Sequence, residues 1–568
     1  MGDETSRRER FSPGLGAREV LGLALGSSAL SLAMNWPVVR RLGSAIPGDP
    51  HDPLLQSWEI AWGGHALLHQ PLHYFQANIF WPLRDTLAFS DTLAGYAPLA
   101  LFGHGAEAAL VRYNVLFLLA YALAFAGAYL LARELGIRPA AAAVAGAAFA
   151  FAPWRLAHVP HLNLLSSGGI PLALFLLLRG YRRRAPWTIF GGWLVAAWQV
   201  SLGWNLGLPW AYALALLALS SIVAWLLLGR KPLGRPAIMA TVGGGAVLLA
   251  LGAMSARPYF RVLHDHPEAR RTIDVVAYFS PPPRSLIAAP EHSLVWGDAT
   301  EGIRDDLSAP DEQSLFPGAL VLAAALVGLG ARVYPRRLRL GLGLAAVVSA
   351  VLSFGYAIRG ASLTYGLLYE HLPGWQGLRT PGRLTTFTTL VLALLAAAGA
   401  QSVAAALGRR SRGRPAVRGA PAAIAVLLTI VVLLEGYGAI DMTHVPSPPP
   451  GQAETLAPQL HLPMGLEADD VVFMYWSTDG FPKLVNGSSG FTPETYRNLT
   501  EQMKSFPDSV SVARLRALGV QTVVLHLDRA VGTPWARAGD RSITGLPLRR
   551  SVRRPLVIYR LGSTGAPG

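Results

Sequence analysis

The sequence predicts a mainly α-helical, polytopic membrane protein of about 11 transmembrane helices, with a small extracytoplasmic α/β domain at its C-terminal end. Three observations predict this: an apolar composition, eleven long apolar runs, and basic clusters that recur on every second connection. Hydrophobic residues make up 52% of the 568, charged residues 15%, and mean hydropathy is +0.36. Soluble chains carry about a quarter charged residues. So few charges cannot cover so much apolar surface, and the excess must face lipid. Cysteine is absent, which excludes disulfides, thiolate metal sites and a cysteine nucleophile. The net charge of +15 lies in short clusters between apolar runs. That is orientation charge and not a nucleic-acid surface.

A helix needs about 20 apolar residues to cross the hydrocarbon core. The runs lie at about 19–39, 108–132, 139–153, 163–179, 187–203, 207–229, 236–256, 317–333, 339–358, 385–407 and 420–440. Positive charge gathers on the cytoplasmic side. Alternate connections carry it: Arg7, Arg8, Arg10 and Arg18; Arg133 and Arg138; Arg179 and Arg182 to Arg184; Arg230, Lys231 and Arg235; Arg332, Arg336, Arg337 and Arg339; Arg409, Arg410, Arg412, Arg414 and Arg418. Arg40 and Arg41 are the exception. The first run lacks an Ala-x-Ala site after it, so it reads as a retained helix and not a signal peptide.

Residues 1–440 then form a polytopic domain with its N-terminus cytoplasmic, and the outside loops fall at about 42–107, 257–316 and 359–384. Residues 441–568 begin with a linker stiffened by Pro446, Pro448, Pro449 and Pro450. After it, Val471–Trp476 reads as a strand, Val510–Leu518 as a helix, and Gln521–Leu527 and Pro555–Leu561 as strands. Function belongs on the outside face, because the inside connections carry almost nothing but arginine.

The first outside loop opens with Pro47-Gly48-Asp49-Pro50-His51-Asp52-Pro53. Proline keeps this acidic segment from continuing as a helix. Asp49 could act as general base on an acceptor hydroxyl, or bind a divalent cation with Asp52. A solvated turn with capping aspartates is the plainer reading. His65, His69 and His73 follow at helical spacing beside Trp58 and Trp62. An interfacial helix explains them better than zinc. Asn78, Trp81, Asp85, Ser90 and Asp91 suggest a packed segment lining a cavity. Arg155, His158 and His161 cluster within two turns between the third and fourth spans. They suit an anionic headgroup phosphate, with snorkelling charges as the alternative. Arg379 and Arg383 are basic residues in an outside loop. They break the charge rule, which makes them better phosphate ligands than any inside arginine. No phosphate-binding Gly-rich loop with Lys and Ser/Thr, Gly-x-Ser-x-Gly elbow or His-Glu-x-x-His motif is present.

These pieces resemble the bacterial multi-pass GT-C-type glycosyltransferases, and more narrowly the uncharacterised RgtA/B/C/D-like members. The matching stretches are Gly48-Asp49-Pro50 with Asp52, Ala77-Asn78-Ile79-Phe80-Trp81-Pro82, Thr86 to Asp91, Phe149 to His158 with His161, Ser314 to Gly318, Pro373 to Arg383, and Leu484 to Phe491. The resemblance implies sugar transfer from a polyprenyl-phosphate donor to an envelope acceptor, outside the bacterial cytoplasmic (inner) membrane. It implies Asp49 as base or metal ligand and Asp52 as a second acid, although Pro50 and His51 separate what is often an adjacent acid pair. Asp91 and Glu312 are candidates for a later acid. Arg155, His158, His161, Arg379 and Arg383 would meet the departing phosphate. A divalent cation is the one cofactor in view, and membrane lipid is the expected surrounding. The alternative is a non-enzymatic lipid-linked-sugar flippase or envelope assembly factor.

Overall fold

The computed structural model describes residues 14–227, 233–410, 419–450 and 455–562. Arg7, Arg8, Arg10, Arg230, Lys231, Arg412, Arg414 and Arg418 of the expected topology signal lie outside them. The chain divides into two units. One comprises residues 1–39, 116–254 and 270–441, and the other 40–115, 255–269 and 442–568.

Five helices are long and apolar enough to cross a membrane: Gly105–Glu134, Leu162–Arg183, Trp204–Leu227, Arg235–Asp265 and Pro381–Gly408. Leu216, Leu219, Leu226, Val242 and Leu249 are exposed on two of them, as lipid-facing residues would be. This is a multi-pass membrane protein. Length alone does not support the full count of eleven. Pro139–Ala150 and Ala319–Gly330 are apolar but have 12 residues each. Twelve residues rise about 18 Å, well short of a hydrocarbon core of about 30 Å. Pro153 follows the first of these helices and Pro317 precedes the second, so each is limited at that end.

In the first unit, small residues bring helices into backbone contact. A Cβ on Gly328 would collide with Leu395 O, and one on Gly399 with Ala324 O. The helix Ala319–Gly330 therefore lies directly on Thr385–Arg410. The Glu435 carboxylate accepts from the N–H groups of Ala319 and Leu320, at 3.1 Å each, and so satisfies donors at the start of that helix. Some of the expected orientation charges also pair within the unit. Arg133 Nε lies 2.6 Å from Glu19 Oε1, and Arg179 Nη1 lies 2.9 Å from the buried Glu134.

The second unit holds both sheets. Strands β1 (Ala45–Pro47) and β2 (Met442–His444) pair antiparallel. Strands β3 (Gln459–Leu462), β4 (Thr522–His526), β5 (Leu548–Arg553) and β6 (Leu556–Leu561) form a sheet in the order β3-β4-β6-β5. Only the β3–β4 pair is parallel. Helices Glu467–Trp476, Glu494–Met503 and Ser509–Ala517 lie between β3 and β4 in sequence.

Val471–Trp476, expected as a strand, is the end of the helix Glu467–Trp476. The acids Glu467, Asp469 and Asp470 occupy its first turn, where the helix dipole favours negative charge. A short, wholly buried apolar run does not by itself separate strand from helix. The helix expected at Val510–Leu518 and the strands at Gln521–Leu527 and Pro555–Leu561 are present with slightly shifted ends. Asp508 and Ser511 form a reciprocal capping box that starts the former.

The first loop is not led by an interfacial helix. His51–His69 is a helix buried on all sides from Pro53 to Gly64. It ends at His69, and His73 lies in the next turn, Pro71–His73. The three histidines therefore share no helical face. The rings of His65 and His69 do stack, 4.4 Å apart. The aromatic stretch after it is packed, as expected. Phe80 N donates to Asn486 O at 3.1 Å, Trp81 N to Leu484 O at 2.8 Å, and Asn78 Nδ2 to Pro482 O at 2.8 Å.

Candidate functional site

Each unit carries a cluster of buried ionisable side chains. In the first unit three loops supply it. Pro153 opens a tight turn, Pro153–Leu156, anchored by Trp154, whose Nε1 donates to Thr389 Oγ1 at 2.9 Å. His158 and His161 follow this turn. Glu312 sits in the short helix Pro310–Gln313, and Arg383 in the turn Pro381–Leu384. Gly382 permits the close approach, since a Cβ there would lie 2.7 Å from Glu312 O.

Arg383 grips Glu312 through both carboxylate oxygens: Nη2 to Oε1 at 2.5 Å and Nε to Oε2 at 3.1 Å. This fork matches a carboxylate geometrically. His158 Nδ1 lies 4.0 Å from Glu312 Oε2, and His161 Nε2 lies 3.9 Å from Oε1. The two Nδ1 atoms are 3.3 Å apart. Burial by itself would raise the Glu312 carboxyl, but the charge of Arg383, with the nearby histidines, outweighs it and holds the group at about 2. Burial pushes His158 down to about 3, so its imidazole is neutral. Arg383 also lines a narrow cleft with Asn205, Tyr365, Trp375 and Thr380.

In the second unit the acids lie along one helix and the loop after it. Asp49 is exposed and accepts from His51 N at 2.8 Å, as a turn-capping aspartate does. His51 Nδ1 lies 3.3 Å from Asp52 Oδ1, and its Nε2 lies 3.0 Å from Ser488 Oγ. Hydrogen bonding to Asp52 raises the His51 imidazole against the opposing effect of burial. Two turns along the helix, Glu59 is 1% exposed. Burial, then the charges of Asp91 and Asp52, push its carboxyl well above the usual range. Asp91 is buried as well.

No protein-family model and no curated protein matches this chain. Solved structures do. A mycobacterial arabinofuranosyltransferase, AftD, superposes with a TM-score of 0.56 at 16% identity, over 97% of this chain and 42% of its own. The chain thus spans less than half the length of that enzyme. The two share a fold. The archaeal oligosaccharyltransferase AglB of Archaeoglobus fulgidus aligns at TM-scores of 0.40 with an inhibitory peptide and a dolichol-phosphate, and 0.42 with Zn and sulfate. These cover 96% and 92% of this chain, at 14% and 15% identity, and 74% and 70% of AglB. At that level they add nothing to the assignment.

Within this chain, four of the residues singled out from sequence come together: His158, His161, Glu312 and Arg383. Arg155 turns away from them. Its Nη1 donates to Ser167 Oγ at 3.1 Å and its Nη2 to Leu165 O at 2.7 Å, with the rings of Tyr121, Phe149 and Trp154 around it. Arg379 lies over the Phe279 ring at 5.3 Å. Asp49, Asp52 and Asp91 belong to the other unit. Sequence reading passed over His51 and Glu59. Both had a signal: His51 stands between the two chosen acids, and Glu59 is seven residues beyond Asp52, on the same helical face.

Proposed function

We propose that this chain is an integral-membrane glycosyltransferase. It moves a sugar from a polyprenyl-phosphate donor to an envelope acceptor, a glycolipid, polysaccharide or protein, on the outer face of the bacterial cytoplasmic membrane. The observation that carries this reading is the GT-C-like fold over 97% of the chain, shared with an enzyme named for arabinofuranosyl transfer. The buried cluster around Arg383 supports it chemically. A polyprenyl phosphate is its own leaving group, so the enzyme needs cationic and hydrogen-bonding partners for phosphate and one base for the acceptor.

In this reading Asp52, steadied by His51, takes the acceptor proton, and Asp49 is the second candidate for that role. The acceptor oxygen forms a bond to the anomeric carbon as the carbon–oxygen bond to phosphate breaks. The phosphate leaves with the electron pair, and the configuration inverts. Arg383 and His161 are the candidate phosphate partners in the first unit. Arg379 lies over the Phe279 ring, Arg155 is held by Ser167 and Leu165, and His158 belongs to the cluster with His161. The N-terminus lies inside, and the apolar runs make about eleven passages, the shorter helices completed by flanking turns. Residues 441–568 stand outside.

The test is transfer of label from polyprenyl-phosphate sugars by purified protein in lipid, with a crude envelope acceptor. Wild type is compared with Asp52→Asn, Asp49→Asn and Arg383→Gln. Label reaching acceptor in wild type and falling at least 100-fold in Asp52→Asn is expected. Lipid-linked sugar that crosses the bilayer without transfer, equally in all variants, would sink the enzyme reading in favour of a flippase.

A further inference from the structure

Two imidazoles and a carboxylate converge in the first unit from separate loops. We propose that His158, His161 and Glu312 bind a divalent first-row transition-metal ion, with Arg383 as the positioning residue that holds Glu312. Their ligand atoms all lie within 4.8 Å of one another, and among the described residues this is the only such group. Bonds of about 2.0–2.2 Å from histidine nitrogen and carboxylate oxygen to one ion place neighbouring donors about 3–4 Å apart. With one ligand atom taken from each residue, the donors here lie within 4.8 Å of one another, and the His158 Nδ1–Glu312 Oε2 edge is 4.0 Å. Contraction by up to about 1 Å closes them on an ion.

The donor set selects the metal. Imidazole suits zinc, cobalt, iron and nickel, whereas magnesium and calcium prefer oxygen donors. Two histidines and one glutamate make three protein ligands and leave at least one coordination position open. The forked hydrogen bonds from Arg383 fix the carboxylate plane, as residues behind metal ligands commonly do. His161 keeps 15% of its side chain exposed while His158 is fully buried, so an ion would enter past His161.

Charge indicates what fills the open position. The negative Glu312 already faces the positive Arg383, so a divalent ion would leave the site with an excess of two positive charges. An anionic oxygen ligand would offset it. Identifying that ligand with a phosphate monoester rests on the transfer reading above; the metal site does not.

The experiment uses the full chain in detergent, stripped with chelator and titrated with Co²⁺. Visible absorption and equilibrium dialysis are read together. One tightly bound ion per chain is expected in wild type. Affinity should fall at least about 100-fold in His158→Ala/His161→Ala and about 10- to 100-fold in Glu312→Gln. His161→Ala alone guards against misfolding, since that ring is partly exposed, and its melting temperature is measured alongside. Absence of a stoichiometric ion in wild type, or equal affinity in folded variants, overturns the site. A second titration with methyl phosphate present should tighten Co²⁺ binding about fivefold or more; unchanged affinity overturns the open position. Neither titration needs a sugar donor, so its result is separable from the outcome of the transfer assay.

Discussion

Glu312 and Glu59 are both buried carboxyl groups, yet their surroundings are opposite. Glu312 has a guanidinium on both oxygens and two imidazoles within 4.0 Å. The charged neighbours of Glu59 are Asp91 and Asp52. Pairing holds one below the ordinary carboxyl range, whereas burial beside two acids pushes the other well above it. Burial of an acid therefore says nothing about its charge until its partners are known. The comparison also separates the chemistry each can do: an ionised carboxylate can ligate a cation, whereas a protonated carboxyl donates through its O–H and accepts through its carbonyl oxygen.

The largest effect should come from breaking the pair. Arg383→Met strands a buried carboxylate and should cost about 3–5 kcal/mol, read as unfolding of detergent-solubilised protein at neutral pH. The sign with pH follows from a carboxyl held at about 2 in the fold against an ordinary 4.5. The contribution is complete above about 4.5 and is lost as pH falls toward 2, so the gap between wild type and variant should narrow on acidification.

Asp470 is an intermediate case. It accepts from Asn486 Nδ2 at 2.8 Å, Tyr496 Oη at 2.8 Å and Gly465 N at 3.0 Å, but no cation faces it so closely. Burial raises it to about 7 despite those hydrogen bonds. The native state then keeps a proton that the unfolded chain releases near the ordinary 3.8, so stability should decline as pH rises from about 4 to about 7 and level off above. Asp470→Asn should remove this slope and cost about 1–3 kcal/mol, because an amide N–H would face donors. A slope unchanged in the variant would assign the titration to another group.

Glu59→Gln should cost less than about 1 kcal/mol at neutral pH, since it replaces one neutral group by another of the same shape. A loss comparable to that of Arg383→Met would mean that Glu59 is ionised and paired, and the contrast would collapse. The smallest effect belongs to His51. Its raised value means that its contribution is present below about 6.5 and fades as pH rises through the folded-state value. His51→Gln should therefore be measurably less stable than wild type in mildly acidic solution and indistinguishable from it at alkaline pH.

Much of the site was legible residue by residue. Glu312 and Arg383 stood out as charged groups in outside loops, and His158 and His161 as imidazoles beyond an apolar run. Their convergence was not legible, because the three loops lie far apart in sequence. Arg155 shows the limit from the other direction. It is three residues from His158, yet the turn at Pro153–Leu156 sends it toward Tyr121 and Phe149. Glu59 was overlooked because its helix reads as an interfacial one, and only packing on every side reveals that the carboxyl is dry.

Composition and apolar run length by themselves determined that this is a multi-pass helical membrane protein with polar connecting loops, because lipid sets helix length and excludes unpaired backbone. Two of the four strands in the larger sheet, at 521–527 and 555–561, were also legible in the sequence. Tertiary structure alone decided that Val471–Trp476 is a helix, that Arg383 belongs to Glu312, and that Glu59 is buried near Asp91 and Asp52. Each of these depends on which groups meet across long stretches of chain. Electrostatic energy is set by distance and burial, and neither is a property of position along the sequence.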